Sequence, residues 1–81
     1  MTAREMFEKL GYSKAPEFEE VVIFRKGYDE YSAKIIEFNK TRKTVVVYLI
    51  YSYTNSDHCS ADMNELKAIN KQVEELGWLD E

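Results

Sequence analysis

Apolar residues recur at helical spacing near both ends of the chain and at strand spacing in the middle. A Thr2/Glu5 pair, typical of a capping box, begins an apolar helical face and predicts a helix over residues 2–10. A second helix is predicted over residues 61–76, with Ser60 as its N-cap. The predicted apolar stripe of this second helix is made of Met63, Leu66, Ile69, Val73 and Leu76.

Both predicted helices end on the same signal, a glycine followed by an aromatic residue. Gly11 precedes Tyr12, and Gly77 precedes Trp78. A glycine in the left-handed conformation stops a helix, and the next residue can then fold back on the side chain five positions earlier. We therefore expect two helices that stop at these glycines and dock on the segment between them.

The middle of the chain predicts three strands, because β-branched and aromatic residues dominate residues 21–25, 31–38 and 44–53. Residues 39–43 are polar and too few for a crossover, which favours an antiparallel hairpin. Residues 13–17 are predicted to form a connector, since a proline there prevents helix continuation. The fold class is thus α+β: an N-terminal helix, a three-stranded antiparallel meander and a C-terminal helix, in a single domain of residues 1–81.

The strand at residues 44–53 is apolar on both of its faces, so the sheet has two apolar sides. If Phe38 pairs with Val45, the side facing the helices consists of Ile36, Phe38, Val45, Val47, Leu49 and Tyr51. The opposite side is then the candidate interface, made of Ala33, Ile35, Val46, Tyr48 and Ile50. We call these five residues the strip. A slip of one residue in the strand pairing would exchange the two sides of the sheet. The strip would also be covered if the helices lay on opposite faces, or if long side chains such as Lys34 and Glu37 lay over it.

Composition narrows the class of protein. The chain has 81 residues, a formal net charge of −4 and one cysteine, so it has no internal disulfide. The sequence has no apolar run long enough to cross a membrane and no apolar stretch of a signal peptide near its start. We therefore expect a cytoplasmic protein that does not use a membrane.

Charge is unevenly distributed, since residues 21–52 carry six basic and three acidic side chains in an otherwise acidic chain. Tyrosines near the basic residues raise an alternative, in which the sheet end and hairpin bind nucleic acid. The residues for that contact would be Arg25, Lys26, Lys40, Arg42 and Lys43. The acidic total and the absence of a recognition motif in the sequence argue against nucleic acid as the partner.

Asp57, His58 and Cys59 are the one place in the sequence where reactive residue types adjoin, in a predicted loop over residues 52–59. A thiol near a helix N-terminus can be a nucleophile. However, a Cys-His pair must converge with a third group, and one cysteine with one histidine cannot build a tetrahedral zinc site without several carboxylates. We predict no catalytic residue, no metal and no cofactor, with a thiol- or metal-dependent activity at Cys59 as the remaining alternative.

Three segments, TAREMFEKLGY (2–12), IIEFN (35–39) and ELKAINKQVEELGW (65–78), resemble small phage- or prophage-associated proteins of Gram-positive bacteria. The resemblance implies a bacterial host cell and supplies no catalytic residue, because these proteins have no established activity. The prediction is therefore a non-enzymatic interaction protein that binds a protein partner or a second copy of itself through its sheet.

Overall fold

The computed structural model describes residues 1–16, 18–51 and 55–80. Within these residues the chain forms two α-helices, five strands and a terminal 3-10 helix. In chain order the elements are α1 (Ala3–Lys9), β1 (Ser13–Lys14), β2 (Val21–Gly27), β3 (Ser32–Asn39), β4 (Thr44–Tyr51), β5 (Asn55–His58), α2 (Met63–Glu75) and the 3-10 helix Trp78–Asp80.

The strands form one antiparallel sheet in the order β1-β2-β3-β4-β5. The α+β class and the central meander of β2, β3 and β4 are confirmed. The predicted number of three strands was wrong, because each edge of the sheet carries a further short strand. Phe38 pairs with Val45, so the predicted register of the hairpin is confirmed.

Both added strands come from segments that were predicted to lack regular structure. Ser13–Lys14 pairs with β2, and the Ala15 N–H extends the pairing by donating to Ile23 O at 2.9 Å. Asn55–His58 pairs with β4, although its polar composition is typical of a loop. Backbone hydrogen bonds to a neighbouring strand, rather than apolar side chains, hold these edges. The last predicted residues of the third strand, 52 and 53, lie outside the described residues.

Helix α1 begins and ends as the sequence predicts. Thr2 and Glu5 form a reciprocal capping box. Gly11 has φ +95°, and the Tyr12 N–H donates to Phe7 O at 3.0 Å. The rings of Phe7 and Tyr12 meet edge to face with centroids 5.6 Å apart. The glycine stop and the returning aromatic residue are therefore confirmed, and they bring Tyr12 into the core.

Helix α2 begins later than predicted. Its N-cap is Asp62, which accepts the Glu65 N–H at 2.8 Å, while Glu65 Oε1 accepts the Asp62 N–H at 2.9 Å. Ser60 lies before the helix, and its carbonyl accepts the Lys34 Nζ at 2.7 Å. The two carboxylates satisfy the N–H groups of Asp62 and Glu65, so the helix begins after Asp62 and Ser60 lies in the connector. The Gly77 stop is confirmed, with φ +76°.

The buried face of α2 also differs from the predicted apolar stripe. Met63 is 68% exposed and Leu66 is 41% exposed, whereas Glu65 and Gln72 are buried in their place. Ile69 is buried as predicted. Hydrogen bonds to the Glu65 carboxylate offset the cost of burying its charge. Helix α2 is therefore rotated about its axis relative to the orientation that would bury the whole apolar stripe.

Both helices lie on the same face of the sheet, which we call the inner face. Phe7 of α1 stacks on Phe24 of β2 with ring centroids 4.1 Å apart, and Ala68 and Ile69 of α2 belong to the same buried cluster. Ile36 and Phe38 are fully buried there, Val45 and Val47 pack against them, and Leu49 and Tyr51 are half-buried. Trp78 is half-buried, with its ring 6.4 Å from that of Phe38.

Candidate functional site

The opposite side of the sheet, which we call the outer face, carries all five residues of the candidate interface. Strand pairing places Ala33 beside Ile50, and Ile35 beside Tyr48. Val46 pairs with Glu37 and points to the same side by strand alternation. Among the described residues neither helix lies on this face, so the alternative with helices on opposite faces is wrong.

The five residues are not equally accessible. Ala33 and Ile35 are only 4% and 5% exposed, because they lie on the central strand between larger neighbours. Val46 is 37% exposed, and Tyr48 and Ile50 are half-buried. A partner would therefore contact β4, while Ala33 and Ile35 form the floor below it.

A shallow cavity of about 310 Å³ lies at the β4 and β5 side of the outer face. It is lined by Val46, Tyr48, Ser56, Asp57 and His58. Because the four residues of β5 pair with residues 48–51 of the longer β4, the sheet narrows there. The cavity adds a concave edge to an otherwise flat apolar surface.

Two charged side chains flank the apolar strip on the outer face. A Cβ built on Gly27 would lie 3.1 Å from Arg25 Nη1, so the Arg25 guanidinium lies over this glycine. Towards the other end of the strip, the Tyr48 hydroxyl donates to Glu37 Oε1 at 3.2 Å. Burial, and then the Glu37 carboxylate, raises the pKa of Tyr48. The Tyr48 hydroxyl thus stays protonated, and its ring is held in place on the strip.

The segment Asp57-His58-Cys59 lies in and just after β5, not in a loop. The Cys59 N–H donates to Val47 O at 3.2 Å and continues the pairing with β4. Successive residues of a strand point to opposite faces, so His58 lies beside Tyr48 on the outer face and Cys59 points to the inner face. The Asp57 carboxylate accepts the Tyr51 hydroxyl. Strand geometry separates the imidazole from the thiol, which removes the Cys-His pair as a catalytic arrangement.

The five basic residues of the nucleic-acid alternative do not form one patch. Lys40, Arg42 and Lys43 lie in the β3–β4 turn, which adjoins the Val21 end of β2. Arg25 lies four residues further along β2, about 13 Å away at about 3.3 Å per residue. Lys26 points to the inner face, with its Nζ 5.8 Å from the Tyr12 ring centroid. The structure therefore does not bring these side chains together as a phosphate-binding surface.

A buried polar cluster on the inner face was not predicted from the sequence. Lys34 Nζ bonds Glu65 Oε1 at 2.8 Å, and the Tyr12 hydroxyl donates to Glu65 Oε2. The side chains of Lys34 and Glu65 are 9% and 7% exposed. Lys34 therefore cannot cover the outer face, as one alternative supposed. The cluster joins the first turn of α2 and the connector before it to the centre of the sheet.

Each member of this cluster has a shifted pKa. Burial opposes ionisation of Glu65, but hydrogen bonds from Lys34, Tyr12 and the Asp62 N–H outweigh burial and lower the Glu65 pKa. Burial likewise opposes the charge on Lys34, but the Glu65 carboxylate outweighs it and raises the Lys34 pKa. Burial and the Glu65 carboxylate together raise the pKa of Tyr12. The cluster is a satisfied ion pair with a neutral tyrosine.

Two signals in the sequence point to this cluster. Lys34 alternates in phase with Ile36 and Phe38, so the predicted register already directs its side chain toward the helices. Asp62 and Glu65 have the spacing of a capping box, which marks the true start of α2. Neither signal identifies Tyr12 as the third member, because that contact spans 53 positions of the chain.

Acid is expected to weaken the fold through Glu65. Its folded-state pKa lies below the unfolded value of about 4.3, so the stabilisation is complete above about pH 5 and is lost as the pH falls through the folded pKa. Urea unfolding of wild type and Glu65→Gln between about pH 7 and about pH 3 measures this loss. The free energy of unfolding of Glu65→Gln should fall less between these pH values than that of wild type. Both proteins contain the other carboxylates, but only wild type contains Glu65. An equal decline in both proteins would contradict the assignment.

No protein-family model matches the chain, and no curated protein or solved structure matches it. The resemblance to phage-associated proteins therefore stays a prediction. No helix within the described residues is long and apolar enough to span a membrane. The same residues contain no group of three or more metal-binding side chains.

Proposed function

We propose that this chain is a non-enzymatic interaction protein that associates with a second copy of itself through the outer face. The observation that carries the proposal is the placement of both helices on the inner face, opposite a sheet surface with exposed Val46 and half-buried Tyr48 and Ile50. Exposed contiguous apolar surface is unfavourable in water unless a partner covers it. We further propose that the protein acts in the cytoplasm of a bacterial host cell and is of phage or prophage origin.

The size of the outer face sets the expected strength of association. A strand of eight residues such as β4 is about 26 Å long, and four strands side by side span about 19 Å. One face therefore offers about 500 Å², and two copies would bury about 1,000 Å² in total, near the lower limit for a specific interface. We expect a reversible, concentration-dependent dimer.

Replacing Tyr48 with glutamate is expected to abolish self-association. A carboxylate on the strip would have to be desolvated next to apolar atoms and beside the Glu37 carboxylate. Sedimentation equilibrium over a wide concentration range measures the change, which we expect to be at least about 100-fold in the dissociation constant, or about 2.7 kcal/mol. Val46→Lys offers a second, independent disruption at a more exposed position.

Tyr28→Glu is the matched control, because Tyr28 is 55% exposed and lies in the turn between β2 and β3. It should leave the association unchanged. Circular dichroism must show that every variant is folded. A wild-type chain that remains monomeric at millimolar concentration would overturn the proposal, as would equal association of Tyr48→Glu, Val46→Lys and the control.

A further inference from the structure

We infer that Arg25 and Glu37 fix the orientation of the second copy, with the strands of the two facing sheets running antiparallel. This inference rests on the proposed self-association through the outer face. It specifies the direction of the two-fold axis that relates the two copies.

On the outer face itself, Arg25 and Glu37 carry opposite charges and lie towards opposite ends of the strip. The Arg25 guanidinium lies over Gly27, which pairs with Ala33 at one end of the strip. Glu37 lies four residues along β3 from Ala33, about 13 Å away. Between the two charges lies the apolar centre formed by Ile35 and Tyr48. Arg25 has no ion-pair partner within residues 1–16, 18–51 and 55–80.

Two-fold symmetry turns this arrangement into complementarity. In a symmetric dimer the same patch meets itself, so a group at one end contacts whatever the symmetry axis places opposite it. An axis that lies between the sheets and runs perpendicular to the strands brings the Arg25 end of one copy onto the Glu37 end of the other, at two equivalent places. Each strand then runs antiparallel to the same strand of the other copy.

The alternative axis, parallel to the strands, produces unfavourable contacts. With this axis, residues at one level along the strands lie opposite residues at the same level in the other copy. The two Glu37 carboxylates would then come close together, and Arg25 would face apolar side chains. Like charges in a partly dry interface disfavour that pairing, and electrostatic complementarity selects orientation. A face whose charges complement themselves in this way fits a second copy better than a strongly basic or strongly acidic partner.

Charge exchange tests the inference. Arg25→Glu and Glu37→Arg should each weaken self-association by about tenfold or more, since each creates two like-charge contacts. An equimolar mixture of the two variants should recover tight pairing, and so should the double variant that carries both changes. Arg25→Gln and Glu37→Gln, which remove charge without reversing it, should weaken association less. Sedimentation equilibrium measures all of these, with unfolding curves to show that each variant is folded.

Lys67→Glu and Glu74→Arg are the control reversals, because both positions are exposed on α2, on the far side of the sheet. They should leave association unchanged. If Tyr48→Glu dissociates the dimer but mixing the two reversed variants restores nothing, the orientation is wrong while self-association stands. If single reversals at Arg25 and Glu37 behave like the controls, the orientation is also wrong. A monomeric wild type removes both proposals.

Discussion

Replacing Glu65 with alanine is expected to destabilise the fold by about 3–5 kcal/mol, the usual loss when one partner of a buried ion pair is removed. The Lys34 ammonium, with its side chain 9% exposed, would lose its carboxylate, and the Tyr12 hydroxyl would lose its acceptor. The Asp62 N–H at the start of α2 would also lose its acceptor. A domain of 81 residues has a typical stability of about 4–12 kcal/mol, so the loss would be at least about a quarter of the total.

Urea unfolding at neutral pH measures this loss. Glu74→Ala is the matched control, since it removes the same side chain from the same helix at a position that is 64% exposed, and should change stability by less than about 0.5 kcal/mol. A double variant, Lys34→Met with Glu65→Leu, should recover part of the loss, because it leaves no unpaired buried charge. A Glu65→Ala protein as stable as the Glu74→Ala control would show that the cluster does not hold the fold.

Replacing Phe24 with alanine is the second change with a large expected effect, again about 3–5 kcal/mol. Phe24 is fully buried and stacks on Phe7 with ring centroids 4.1 Å apart. Its ring also meets that of Phe38 at 6.2 Å and 85°. Removing it leaves a cavity where α1 packs on β2, and a seven-residue helix has too few hydrogen bonds to remain folded without that contact.

Phe18→Ala provides the comparison, because this substitution removes the same ring from a position that is 57% exposed. Thermal or urea unfolding should place Phe18→Ala within about 0.5 kcal/mol of wild type. Loss of helical circular dichroism on Phe24→Ala, before complete unfolding, would indicate that α1 detaches first. Similar stability of the two alanine variants would mean that the aromatic cluster is not the centre of the core.

The side chains that hold the core and those of the candidate interface lie on different sides of the sheet. The Glu65 cluster and the Phe24 contacts lie on the inner face, while Tyr48 and Val46 lie on the outer face. Stability and association should therefore respond to separate substitutions. This separation makes a loss of association in Tyr48→Glu interpretable, provided the unfolding curve is unchanged.

Local signals in the sequence were enough to predict the elements whose formation depends on near neighbours. The Thr2/Glu5 cap, the Gly11 stop and the Phe38 to Val45 register depend on residues a few positions apart, and all are confirmed. Capping, positive φ and hairpin pairing are short-range effects that tertiary contacts seldom override. The central meander and its two apolar sides follow from the same kind of information.

The sequence by itself thus determined two helices that stop at Gly11 and Gly77, around an antiparallel meander with two apolar sides. Only the tertiary structure decided that both helices share the inner face, that β1 and β5 extend the sheet and that Glu65 points inward. The reason is physical: a polar edge strand and a buried carboxylate are stabilised by partners far along the chain, as Glu65 is by Lys34 and Tyr12. Hydrophobic periodicity has no record of those partners, so it placed Met63 and Leu66 rather than Glu65 on the inward side of α2. Ile69, Val73 and Leu76, where no distant polar partner intervenes, do pack against the core as predicted.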